Sequence, residues 1–378
     1  MRMGVEGDGR SPSDGRVTAP AGATSAPESL AWLGWFRFVA ICGVILIHVN
    51  GVTAAQLYGR DVPVGEWARV LDFVSRWSVP AFVMCSGAML LDPSRYRGTG
   101  HFLRRRASRL APPLVFWHLV YAAWVVHLRG AFDPAALLHA AATGTLYTAL
   151  YFFWIVLGLA LLTPLLVPWV ASVSPREVGI AGVVLTAMPA AAMAIVPVAP
   201  ASEEWIRTAA TWWVPYLGYY LLGYALRRAH LTTTRGLAAL AGFVAGCAWI
   251  VWQWKQPTGL GAVLEHYQPA ESYFHPAVAL AACSAMYLTR WIVRPGGLGG
   301  WFARTAPARW GRELGAATLG VFAVHQLVLA AAERAPIIGG GIVASSPAEL
   351  VTRCVVVIVG SYAFALLRRR IPGVDRVV

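Results

Sequence analysis

Two ionisable residues stand in the first long apolar run of the chain, Arg37-Phe-Val-Ala-Ile-Cys-Gly-Val-Ile-Leu-Ile-His48. Eleven residues are about three turns of helix and about 16 Å of rise, so one face carries both side chains. Ionisable groups inside an apolar span are costly and mark function by default. An imidazole at His48 suits general-base or nucleophilic work, and a guanidinium at Arg37 suits a phosphate or carboxylate. Each has a plainer reading too. Arg37 is also placed to snorkel to an interface, and His48 to bond a carbonyl.

A second group follows in His101-Phe-Leu-Arg104-Arg105-Arg106-Ala-Ser-Arg109-Leu-Ala-Pro112-Pro113. The helical spacing of Arg106 and Arg109 sets two guanidinium groups on one face, a geometry suited to phosphate or pyrophosphate. The competing reading is a basic loop against anionic lipid headgroups. His325, in Thr318-Leu-Gly-Val-Phe-Ala-Val-His325, is either a second polar partner inside the bundle or a histidine satisfied by a neighbouring helix. The sequence contains no HExxH, no His/Cys metal spacing, no GxSxG and no Walker-type phosphate loop. No metal is therefore expected, nor an ATP-driven pump.

The elements that must position these groups are membrane helices. Apolar residues make up 57% of the 378 and charged residues only 13%, too few to clothe a soluble globule. Ten spans are predicted, at 31–52, 74–91, 111–129, 151–170, 178–198, 211–226, 237–254, 273–292, 316–333 and 349–367. The fold class is an all-α polytopic bundle. With both termini cytoplasmic, twenty-three of the 31 basic residues fall inside and eight outside, as the positive-inside preference requires. That asymmetry accounts for the net charge of +13 without nucleic acid, so the bilayer is the partner expected and nucleic acid is not. The five cysteines, Cys42, Cys85, Cys247, Cys283 and Cys354, lie in apolar context with no CxxC pair and read as small buried hydrophobes. Residues 1–30 read as a disordered cytoplasmic tail, 31–367 as one transmembrane domain, and 368–378 as a basic cytoplasmic tail. The oligomeric state is not written in these patterns.

Taken together, the motifs resemble those of acyltransferase family 3, integral-membrane enzymes that acylate sugars of surface polysaccharides and related molecules. Arg37 and His48 match the family's opening arginine, ten residues, histidine. Arg76-Trp-Ser-Val-Pro80-Ala-Phe-Val-Met-Cys-Ser86-Gly87 is close to the VPxFxxxSG of the sugar O-acetyltransferase branch. Arg106, Arg109, Pro112 and Pro113 match its RxxR followed by prolines. The run from Val214 to Tyr224 resembles YLGYxLLGY, and Gly320-Val-Phe-Ala-Val-His325 resembles GIYLIH. The likeness covers residues 31–367. Two positions depart: Phe152 stands where relatives carry the histidine of HLWF, and Pro80 where another branch carries an acidic residue. No hydrolase-like domain is fused, so this chain is expected to complete the transfer alone.

What the resemblance implies is a multi-pass enzyme of the cytoplasmic membrane, with no tightly bound cofactor and acyl-CoA, acetyl-CoA foremost, as co-substrate. Arg37, Arg106 and Arg109 would hold its phosphates, and His48 with Arg37 would be catalytic. Arg76, Trp154, Tyr219 and His325 would contact the acceptor, a sugar, glycan or glycosylated lipid or metabolite carrying the hydroxyl. The rival reading is an exporter or flippase of lipid-linked polysaccharide. There the arginines bind substrate phosphates and His48 is a relay or gate, but no paired halves with interrupted helices are evident. A third, a structural partner in glycan assembly, would need no polar group within the spans.

Overall fold

A computed structural model describes residues 30–195, 208–256, 258–335 and 340–368. The tails expected at 1–30 and 368–378 lie outside the described residues, but for Leu30 and Arg368. From Ala31 onward the chain packs as one unit of helices. They are α1 (Ala31–Gln56), α2 (Pro63–Ser75), α3 (Ser78–Leu90), α4 (Thr99–Arg129), α5 (Pro134–Thr143), α6 (Tyr151–Ser172) and α7 (Pro175–Ile195). There follow α8 (Leu217–Arg228), α9 (Thr233–Trp254), α10 (Gly259–Tyr267), α11 (Pro276–Val293), α12 (Thr305–Arg334) and α13 (Pro347–Arg368).

Among the described residues, nine helical stretches are long and apolar enough to cross a membrane, one of them α2 and α3 together as 28 residues from Pro63 to Leu90. The expected segment 211–226 differs. It is a 3₁₀ turn, Val214–Tyr216, leading into α8, which has 12 residues. That is about 18 Å, short of the roughly 30 Å hydrocarbon core. Apolarity alone suggested a span, but α8 packs between α3 and α7 rather than against lipid. Most of its side chains are buried, so irregular backbone before it is shielded by protein. Close approach makes this possible: a Cβ on Gly87 of α3 would strike the Tyr220 carbonyl, and one on Gly223 of α8 the Met84 carbonyl.

The basic segment 92–110 also differs from a loop. Helix α4 begins at Thr99, after Gly98 with φ of 93°, and runs through Pro112 and Pro113. Arg104, Arg105, Arg106 and Arg109 therefore ride on its first turns. The stretch before it is clamped by Asp92, which follows α3 and is 2% exposed. Its carboxylate accepts from Arg228 at 2.9 Å, lies 3.2 Å from Arg227 and is bonded by Ser94. Burial opposes ionisation here, but the Ser94 hydrogen bonds and the Arg227 and Arg228 guanidinium groups outweigh it and hold this carboxyl below its ordinary range. On the outside of the bundle, Leu161, Leu165, Ile180, Val183, Val244, Val355 and Val359 turn apolar surface outward, as a lipid-facing wall requires.

Candidate active site

Helices α1 and α12 approach through glycine. Gly311 and Gly315 of α12 form a small-xxx-small pair, and a Cβ on Gly34 of α1 would strike the Gly311 carbonyl. His48 is fourteen residues beyond Gly34, and His325 is fourteen beyond Gly311. Fourteen residues are about four turns, so parallel helices touching at the glycines bring both histidines to the same level and the same side. Their ring centres are 5.1 Å apart. His325 is 0% exposed and its Nδ1 lies 2.6 Å from the Phe322 carbonyl, whereas its Nε2 has no partner.

A cavity of about 190 Å³ lies on the Arg37 side of this pair. Arg37, Ser86, Phe82, Phe152, Leu110, Thr318 and Phe322 are among its lining residues. Gly315 and Ala316 contribute to the wall, and their small size leaves the space open. From Gly315 to Phe322 is about 10 Å of rise. Phe322 then stands between cavity and histidines: its ring centre is 5.0 Å from that of Phe152 and 5.6 Å from that of His325.

At the far end of the cavity, Arg37 is half-buried and donates to the Met89 sulfur at 2.9 Å. Arg106 lies one turn before Leu110 on α4 and is half-buried on the same side. It is within electrostatic range of Arg37 and Tyr220, and its Nε is buried with no partner. Among the described residues neither arginine pairs with a carboxylate, so the two cations converge on a place suited to an anion. Arg109 separates from them. It is exposed, so of the RxxR pair only Arg106 turns inward.

Beyond the histidines sits Arg76, at the break between α2 and α3. Asp72 grips it through Nε and Nη2, both at 2.8 Å, and its Nη1 donates to the Glu271 carbonyl at 2.9 Å. Its guanidinium stands 5.5 Å from the centre of the Tyr273 ring, and it lies within electrostatic range of His48. Tyr151 is hydrogen-bonded to Tyr273 in the same cluster. Tyr219, expected to touch the acceptor, is 0% exposed and donates to the Tyr273 carbonyl at 2.8 Å. It holds the backbone of Tyr273. Trp154 is two residues from Phe152, on the opposite side of α6, with its ring 5.4 Å from His118.

The structure therefore brings His48 and His325 together, sets Arg37 and Arg106 at one end and Arg76 at the other, and leaves Arg109 and Trp154 aside. Sequence reasoning passed over Asp72, Tyr151, Tyr273 and the phenylalanine wall. Asp72 had a signal, since a carboxylate four residues before Arg76 is a helical ion pair inside an apolar stretch. The family model described as an acyltransferase domain, that of acyltransferase family 3, matches residues 30–366. Neither a curated protein nor a solved structure matches the chain.

Proposed function

This chain belongs to acyltransferase family 3 and is a multi-pass membrane acyltransferase, and we propose that it moves an acyl group, acetyl foremost, from acyl-CoA to a sugar hydroxyl. The observation that carries this reading is the cavity itself, with two arginines at one end and two histidines past its other end. The donor approaches from the cytoplasm, the side on which most basic residues of the sequence are expected. Arg37 and Arg106 bind its phosphates as charge-assisted, planar donors. The thioester arm then enters the aromatic cavity, pointed at His48, which lies past Phe322 and about 16 Å of helix rise from Arg37.

His48 takes the proton of the acceptor hydroxyl as general base, and the oxygen attacks the thioester carbonyl. The acceptor comes from the opposite side, past Arg76, Tyr151 and Tyr273, whose hydroxyls and guanidinium suit a polar sugar. The acceptor is a sugar, glycan or glycosylated lipid or metabolite of the cell envelope. Purified protein in nanodiscs, given radiolabelled acetyl-CoA and lipid-linked or free glycans, should transfer label. Glutamine at 48 keeps size and hydrogen bonding but can neither take a proton nor carry an acyl group. His48→Gln should therefore lower transfer by about 10²–10⁴-fold while acetyl-CoA binding survives. Wild-type rates in that variant, at equal protein levels, remove His48 from the chemistry.

A further inference from the structure

Resting on that acyltransferase reading, we propose that His325 works through His48: its Nε2 accepts the N–H of His48, which leaves the other His48 nitrogen free to take the hydroxyl proton. A backbone carbonyl only accepts, so the 2.6 Å contact with the Phe322 carbonyl assigns the proton of neutral His325 to Nδ1. Nε2 is then a bare lone pair. It is buried and unpartnered, a state that costs about 1–3 kcal/mol and calls for a donor.

The rings touching His325 are those of Phe322, which has no polar atom, and His48. Tyr121, which reaches the neighbouring stretch of α12, spends its hydroxyl on the Ala323 carbonyl at 2.7 Å. Of the two rings paired with His325, His48 is the one with an N–H to offer. Centres 5.1 Å apart put facing imidazole nitrogens within hydrogen-bonding distance once the His48 ring turns toward its partner. The register set by Gly34 and Gly311 holds the two at one height on rigid helices, the support a precise site needs.

The proton bookkeeping closes. The hydroxyl proton moves to the free nitrogen of His48, and the resulting positive charge is shared with His325 through the N–H to Nε2 bond. The oxygen bonds the acyl carbon, the carbon–sulfur bond breaks, and the departing thiolate recovers the proton from His48. An ester and a free thiol result. His325 touches neither substrate, so it is a positioning residue.

The test pairs two substitutions with a spectroscopic readout. His325→Leu keeps the bulk but offers no lone pair. It should lower kcat by about 100-fold with KM for acetyl-CoA and for the glycan unchanged. His325→Gln can donate to Phe322 and accept from His48, and should recover much of that loss. Loss carried by KM would make His325 a substrate contact, and equal loss in both variants would make it a packing residue; either overturns the proposal. Nitrogen-15 NMR of labelled histidines in the intact protein reads the tautomers without turnover. His325 should carry its proton on Nδ1, and the His48 signals should shift in His325→Leu. A proton on Nε2 of neutral His325 overturns the pairing even if the protein transfers no acetyl group at all, the outcome that would defeat the acyltransferase reading instead.

Discussion

Arg106 and Arg109 look equivalent as letters and are not equivalent as groups. Arg106 is half-buried beside the cavity with an unpartnered Nε, while Arg109 is exposed on the next position of the helix face. A charge-assisted bond from a partly desolvated guanidinium is worth about 1.5–3 kcal/mol, whereas an exposed charge is screened to about 0–1 kcal/mol. Arg106→Ala should therefore weaken acetyl-CoA binding at least tenfold, and Arg109→Ala by no more than a few-fold. Titration calorimetry in nanodiscs separates them, and equal losses would mean that the RxxR acts as a surface patch. The departure at Phe152 also acquires a meaning: it is part of the aromatic wall between arginines and histidines. A histidine there would put a polar group where this protein keeps an apolar one.

The pairing of α1 with α12 depends on the absence of a side chain at Gly34. Gly34→Leu drives a side chain into the Gly311 backbone and must push the helices apart, at the usual overpacking cost of about 1–3 kcal/mol. Transfer per folded molecule should fall much further than stability does, because the histidines separate together. Gly51→Ala, which meets nothing within 4 Å on the same helix, should be silent in both assays. The turn after α3 makes a different claim. Asp92→Asn removes the buried carboxylate that stands 3.2 Å from Arg227, itself buried, a loss on the order of 3–5 kcal/mol at neutral pH. Because the folded state holds the Asp92 proton less tightly than the unfolded chain does, this stabilisation is complete above the ordinary value of about 3.9. It disappears as pH falls through the depressed folded value. The difference in thermal stability between wild type and Asp92→Asn should accordingly shrink below about pH 4.

The orientation of the protein in its membrane decides which side supplies the donor. Gly341, at the His48 end of the bundle beside Arg353, and Gly100, in the first turn of α4, are both open positions with room for a cysteine. A membrane-impermeant maleimide should label Gly341→Cys from outside intact cells and should label Gly100→Cys only after permeabilisation. The opposite pattern would put Arg37 and Arg106 outside, and with them any site for a cytoplasmic thioester.

Composition and apolar run length sufficed for the class of fold, because a bilayer leaves helices as the main way to satisfy a backbone in hydrocarbon. The pairing of Arg37 with His48 was legible as well, since both sit on one helix and the 3.6-residue period alone aligns them. Motif order was enough for the family. The sequence left open what partners what across helices. That His325 faces His48 follows from two glycines nearly three hundred residues apart meeting at one crossing, a contact that no local pattern announces. The separation of Arg106 from Arg109 follows from where α4 leans on the bundle, and the burial of α8 from neighbours that shelter a helix too short to cross alone. Those outcomes depend on packing, which sums contacts between distant segments, and so only the tertiary structure decided them.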